Sequence, residues 1–273
     1  MIAYGIGVLP LIRELREAHP RVTQPWYVDD AAVGGTFAEV QAHFQDLQVW
    51  VPAQGYYPEL TKSILVVTPG NVARDEDHFR GMGIRVVTGH RYLGGFLGDG
   101  SSEKEWLGTK VEGWTESIAT LAGVALKHPQ SAYAGPQKSL QQEWAFVQRV
   151  TPGVGAAFAP VEEALREVFL SALFRGLTEG LPTSENTRLP VKHAGLAIPD
   201  PVLMAPEKCT ASCVITGHLV LALRGQTTFW TADHMACLRE GRLAVRYRGM
   251  QRAEAALTAA LEGAPVQQAR RMQ

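Results

Sequence analysis

Two aspartates stand side by side in this chain, Asp29 and Asp30, within the stretch VTQPWYVDDAAVGG. Carboxylates that close raise each other's pKa unless a cation neutralises them. Their hard oxygen donors suit Mg²⁺ or Mn²⁺. Two such ions roughly 3.5–4 Å apart activate an attacking 3′-hydroxyl and steady a departing pyrophosphate. On its own, an Asp-Asp pair is more often a solvated turn. The flanking residues shape it into something more definite. Pro25 favours an extended neighbour before it, and Trp26, Tyr27 and Val28 favour strand. Asp29 and Asp30 turn the chain, Ala31 to Val33 return it, and Gly34-Gly35 end the return. The expectation is a short β-hairpin with two carboxylates at its tip.

Other residues with chemistry in them lie far apart. Lys62 precedes an apolar run, Ser63 to Thr68, where an exposed lysine at a strand entry is the plain reading. Cys209 and Cys213 are four apart, with His218 five further on and Cys237 more distant. That spacing matches no zinc pattern, and thiols buried on one helical face account for it. Arg239, Arg242, Arg246, Arg248 and Arg252 face a single acid, Glu240. Guanidinium forks suit phosphate, although a solvated basic helix face gives the same pattern. Trp114 and Trp144 have the rings to stack on bases, but both sit on apolar stripes and are expected in a core.

Periodicity places these residues on elements. Ile2, Ile6, Leu9, Ile12 and Leu15 recur at helical steps from Met1 to His19, and Pro20 ends that helix. Thr36 and Glu39 form a T-x-x-E capping box ahead of Phe37, Val40, Phe44 and Leu47. Gly55 to Pro58 reads as a loop. Ser102 and Glu105 form a second capping box before the stripe Leu107, Val111, Trp114, Ile118 and Leu121. Leu140, Trp144 and Val147 mark another helix, and Val161, Leu165, Val168 and Leu173 a third. Three such helices suit a bundle. Residues 176–206 are rich in proline and glycine and read as a connector, with a helical tail beyond.

Composition bounds the rest. The 273 residues are 46% apolar and 19% charged, which supports packed cores and argues against a wholly disordered chain. A net charge of −1 excludes a globally basic nucleic-acid protein and confines any polyanion site to a local patch. Three cysteines exclude a disulfide scaffold and fit an intracellular, reducing compartment, nucleus or cytoplasm. No apolar run reaches the roughly 18–20 residues of a membrane helix. The apolar start is followed at once by charges, unlike a signal peptide.

Tyr27-Val28-Asp29-Asp30 resembles the Y-x-D-D motif of reverse transcriptases, the RNA-directed DNA polymerases of retroelements. The order of elements around it is similar too: a helix, the Y-x-D-D hairpin, a helix, a loop whose lysine opens a strand, then a short hairpin with a Y-L-G motif, here Arg91-Tyr92-Leu93-Gly94-Gly95. LPVKHAGLAIPDP, residues 189–201, is similar to a segment that follows the thumb in non-LTR-type retrotransposon polymerases. The likeness covers most of residues 1–110 and, more loosely, 111–205.

The resemblance implies an α+β fold. Residues 1–98 would form a partial palm, a small antiparallel sheet with helices on one face; 99–175 a helical thumb; and 176–273 a connector and basic helical tail. Asp29 and Asp30 would be the catalytic, metal-binding carboxylates, with Mg²⁺ or Mn²⁺ as cofactor. Tyr27 and Val28 would lie near the primer terminus and the incoming nucleotide. Lys62 would neutralise or protonate the departing pyrophosphate. Tyr92, Leu93 and Gly94 would form the primer grip. Arg239, Arg242 and Arg246 are candidate nucleic-acid contacts of the tail. Partners would be an RNA template and a DNA primer, with no membrane.

One departure is serious. The family's A motif supplies a further catalytic aspartate upstream of the B motif, and the B-motif glycine and the basic residues of the fingers also precede the Y-x-D-D hairpin. None has a counterpart between Met1 and Tyr27. The expectation is therefore a polymerase fragment, inactive or nearly so unless another chain supplies the front half of the palm and the fingers. Its sheet should show an unpaired edge and exposed apolar surface. The alternatives are a non-catalytic relic that binds nucleic acid or a partner through thumb and tail, and a translated pseudogene.

Overall fold

The computed structural model describes residues 2–27, 30–55, 57–79, 82–174, 187–193 and 195–262. The described chain is mostly helical, with three two-stranded sheets, and so is α+β in the broad sense. It divides into two units: Met1–Val87 with Val220–Thr228, and Thr88–Leu219 with Phe229–Gln273. The Tyr92–Gly95 turn and residues 229–262 thus belong to the same unit as the helices between residues 100 and 173.

The first unit runs α1 (Ile2–Ala18), β1 (Trp26–Tyr27), β2 (Asp30–Ala31), α2 (Phe37–Trp50), β3 (Ile64–Val66), α3 (Val72–Phe79) and β4 (Arg85–Val87). β1 and β2 are antiparallel, but β3 and β4 pair in parallel, Ile64 opposite Arg85 and Val66 opposite Val87. A parallel pair needs a crossover, and α3 supplies it. The single small antiparallel sheet expected of residues 1–98 is therefore not what the described strands build: three separate pairs stand there, two antiparallel and one parallel.

α1 turns a different face inward from the one its isoleucines suggest. Val8, Leu11 and Leu15 are buried, whereas Ile6 is 67% and Leu9 40% exposed. Leu11 and Leu15 close with Leu47 and Val51 on a small core, sided by Trp26, Phe44 and Trp50. α2 starts as expected. The Thr36 amide donates to Glu39 Oε2 at 3.0 Å and the Thr36 hydroxyl at 2.7 Å. These bonds, with Arg21 nearby, hold the Glu39 carboxyl below its ordinary range.

His43, one turn before Leu47, is 1% exposed, and neither ring nitrogen has a hydrogen-bond partner. Burial pushes its pKa down to about 4; the His19 ring, 5.3 Å away, adds to the shift and Asp46 opposes it. Asp46 itself takes a 2.9 Å hydrogen bond with His19 Nε2. An unfolded histidine binds its proton near 6.5, while the folded ring refuses it down to about 4. Stability is therefore full above the higher value and falls as pH drops through that window, by at most about 3 kcal/mol. His43→Leu should remove most of this slope. Urea midpoints measured at about pH 7 and about pH 5 check it, and an unchanged slope would show that His43 is not the group responsible.

The second unit holds β5 (Gly89–Tyr92), β6 (Gly95–Gly98), α4 (Gly100–Ala125), α5 (Pro129–Gly135), α6 (Gln141–Val150), α7 (Ala159–Glu163) and α8 (Leu170–Leu173). α9 (Pro201–Leu223, to Leu219) and α10 (Thr231–Glu262) complete it. Asp99, not Ser102, caps α4: its carboxylate accepts the amides of Ser101 at 2.8 Å and Ser102 at 3.2 Å, plus both serine hydroxyls. Those donors hold Asp99 well below the usual carboxylate range.

The α4 stripe is as read: Leu107, Val111, Trp114 and Ile118 are buried, with Leu121 packed beside them. Leu140, Trp144 and Val147 meet it from the next helix, where a π turn over Pro136–Leu140 joins α5 to α6. The third stripe is shifted. A π turn over Ala164–Phe169 delays the face by one residue. Phe169 and Leu170 are buried, and Val168 is 44% exposed.

The connector is not loose where it is described. Ile198 and Leu189 are buried, and the Leu196 carbonyl accepts from Tyr133 Oη at 2.5 Å and Gln137 Nε2 at 2.8 Å. Arg188 reaches Glu162 at 2.9 Å and Asp200 at 2.7 Å. Asp200 also caps α9 through the amides of Val202 and Leu203. α9 and α10 approach closely at Gly241, where an added Cβ would sit 2.5 Å from Ile215 Cγ1. No described helix is long and apolar enough to cross a membrane.

Candidate functional site

The residues singled out by sequence fall on three local structures. The first is the β1–β2 hairpin. Trp26 pairs with Ala31 and Tyr27 with Asp30. The Thr23 and Gly34 amides exchange 2.8 Å bonds with each other's carbonyls, and the Ala32 amide donates to the Pro25 carbonyl at 3.0 Å. Strand-forming residues on one side and small ones on the other let two short strands close face to face. Tyr27 is 62% exposed and Asp30 is exposed beside it. Val28 and Asp29, between the strands, lie outside the described residues. Lys62 belongs to the same unit. It is exposed, at the end of a 3₁₀ turn over Leu60–Lys62 that leads into β3. Among the described residues no hydrogen bond or ion pair joins it to Asp30.

The second structure is the β5–β6 hairpin, with Tyr92 opposite Gly95 across a two-residue turn. Leu93 has φ 46° and Gly94 φ 81°. Positive φ at both central positions is the mirror-image turn that matches strand twist and normally takes Asn-Gly. A branched leucine there is strained by about 1–2 kcal/mol. Its side chain is 44% exposed, so burial does not repay the strain. The tip leans on α6: a Cβ at Gly94 would meet Phe146 Cε1 at 2.8 Å, and one at Gly95 would meet Val150 Cγ2 at 3.3 Å. Phe146 is a supporting residue that the sequence did not reveal, since it lies off the apolar stripe.

This geometry sets an expected pair of results. Leu93→Asn should raise stability by about 1 kcal/mol. Gly94→Ala should lower it by about 1–3 kcal/mol, having both a left-handed φ and no room. Thermal unfolding of the two variants checks the signs, and a neutral Gly94→Ala would contradict the tip's contact with Phe146.

The third is α10. Arg239, Arg242 and Arg246 are exposed along it, three and four residues apart, hence on one side of the helix. Cys209 and Cys237 are half-buried and Cys213 is exposed, so the thiols are not the buried set expected from sequence. Burial and the neighbouring Cys213 push the Cys209 thiol up. Trp114 and Trp144 are core residues, 4% and 0% exposed, and so unavailable for base stacking.

Among the described residues no three His, Cys, Asp or Glu side chains gather as metal ligands. Asp30 alone is one exposed carboxylate, so the described side chains do not amount to a complete two-ion centre. No family model, no curated protein and no solved structure matches this chain.

Proposed function

We propose that the chain is part of a retroelement reverse transcriptase: the rear of the palm with its Y-x-D-D hairpin, followed by a thumb-like helical unit. The observation that carries this reading is the pairing of Tyr27 with Asp30 in an antiparallel hairpin, which brackets Val28 and Asp29 between two strands. Support also comes from the tight Tyr92–Gly95 turn and from the helices packed on Trp114 and Trp144.

In the intact reaction a primer 3′-hydroxyl attacks the α-phosphorus of a deoxynucleotide and pyrophosphate leaves. Mg²⁺ or Mn²⁺, when bound, would lower the hydroxyl's pKa and neutralise the phosphates. This chain's own part would be narrower. Asp29 and Asp30 would offer oxygen ligands from one side. Tyr27, exposed beside Asp30, would bear on the primer end. Lys62 would meet the charge on pyrophosphate, and the Leu93-Gly94 backbone would hold the primer strand. With these groups alone, activity should be negligible.

A second reading, a non-catalytic relic that binds nucleic acid, draws on the exposed row Arg239, Arg242 and Arg246. Crosslinking separates the two. With an RNA–DNA hybrid carrying a photoreactive primer 3′ terminus, the polymerase reading expects adducts on the Tyr27–Asp30 and Tyr92–Gly94 peptides. Adducts confined to α10 would overturn it in favour of the second.

A further inference from the structure

Unit two contains a groove of about 460 Å³ between α6, α9 and α10, within the ~300–1,000 Å³ range of small-molecule sites. Its charge is lopsided. Arg149, Lys208 and Arg248 line it, and none of the three has a carboxylate within ion-pair distance among the described residues. The one acid on the wall, Glu207, is already held by Arg252 Nη1 at 2.7 Å. Three cations thus remain without a counter-charge.

Lys208 is fixed in place. Lys208 Nζ donates to Gln148 Oε1 at 2.9 Å, and Gln148 is fully buried, its own amide nitrogen donating to the Pro201 carbonyl at 2.7 Å. That second bond sets which way the Gln148 amide points, and so keeps its oxygen on the ammonium. Burial and the nearby Arg149 bring the Lys208 pKa down to about 8. An anion between them would offset the repulsion that Arg149 exerts on the ammonium. Another lining group, Gln141, has a buried Nε2 with no acceptor. A buried donor left unmade costs about 1–3 kcal/mol, and an acceptor bound in the groove beside Gln141 would remove that cost. Apolar wall comes from Ala145 and Ile215.

We propose that this groove binds a phosphate group, with Arg149, Lys208 and Arg248 as its charge partners and Gln141 Nε2 as a further donor. The phosphate comes either from a free nucleotide, whose base and sugar would use the apolar wall, or from a nucleic-acid backbone. The site stands apart from the Asp29–Asp30 reading: it would survive a failure of metal binding at the hairpin, and its own failure would leave that reading untouched.

The full-length chain is titrated calorimetrically with three probes: inorganic phosphate, a deoxynucleoside triphosphate and a short single-stranded oligonucleotide. At least one should bind saturably. Arg149→Gln and Arg248→Gln should each weaken that binding about tenfold or more without moving the unfolding midpoint. Arg242→Gln, exposed on α10 and outside the groove, should leave it unchanged. Binding of phosphate and triphosphate without the oligonucleotide assigns a free nucleotide; tighter, steeply salt-dependent oligonucleotide binding assigns a backbone. Absence of saturable binding by all three probes overturns the proposal. So does binding that Arg242→Gln weakens as much as the groove variants do, because that would mark diffuse attraction to a basic surface.

Discussion

Trp144→Ala is expected to destabilise the second unit by about 3–5 kcal/mol, the cost of removing a large buried ring and leaving a cavity. Trp144 is wholly buried. Its ring meets Trp114 edge to face with centroids 6.2 Å apart, and Trp114 in turn stacks on Phe158 at 5.7 Å. Trp114 Nε1 donates to Glu143 Oε2 at 3.2 Å, which fixes one ring of the trio from outside the core. Aromatic contacts of this kind add about 0.5–1.5 kcal/mol beyond area. Small domains carry only about 5–15 kcal/mol in total, so the substitution should remove a large share of it. Trp144→Phe, which keeps a ring, should cost less. Urea unfolding followed by near-ultraviolet circular dichroism measures both. A change below about 1 kcal/mol would mean that the ring is not packed as described and is free for another use.

The helical unit was the more legible part of the sequence. Leu107, Val111, Trp114 and Ile118 announce the buried face of α4, because a regular helix repeats its face every three or four residues. The same rule failed wherever the helix was not regular. After Leu165 the π turn shifts the face by one residue, burying Phe169 in place of Val168. No side-chain pattern announces such a turn. In α1 Ile6, Leu9 and Ile12 are as numerous as Val8, Leu11 and Leu15, which pack, so periodicity alone did not decide between the two overlapping faces. Ser102 and Glu105 fit the capping-box pattern, yet the cap is Asp99, whose carboxylate collects both serine amides and both hydroxyls. Asp200 followed by Pro201 is a readable helix start, a capping acid before a proline at the first position, within the proline- and glycine-rich segment 176–206.

For the candidate site, sequence named the hairpin residues because their motif is contiguous. It could not reveal the groove. Gln141, Arg149, Lys208 and Arg248 come from three helices and share no spacing. The parallel pairing of β3 with β4 was hidden for a similar reason, since Ile64–Val66 reads alike in either sense and only the path through α3 decides.

Asp29 and Asp30 are proposed to offer divalent cations a pair of carboxylates. Mn²⁺ titration of the ¹⁵N-labelled chain, read as paramagnetic broadening of backbone amides, tests it without requiring activity. The account expects early, local broadening at Tyr27, Asp30 and Ala31. Asp29→Asn with Asp30→Asn should weaken that effect by at least about tenfold, because amide oxygens carry no charge for the ion. Broadening that is absent from this hairpin, or that persists unchanged in the double variant, would contradict the claim.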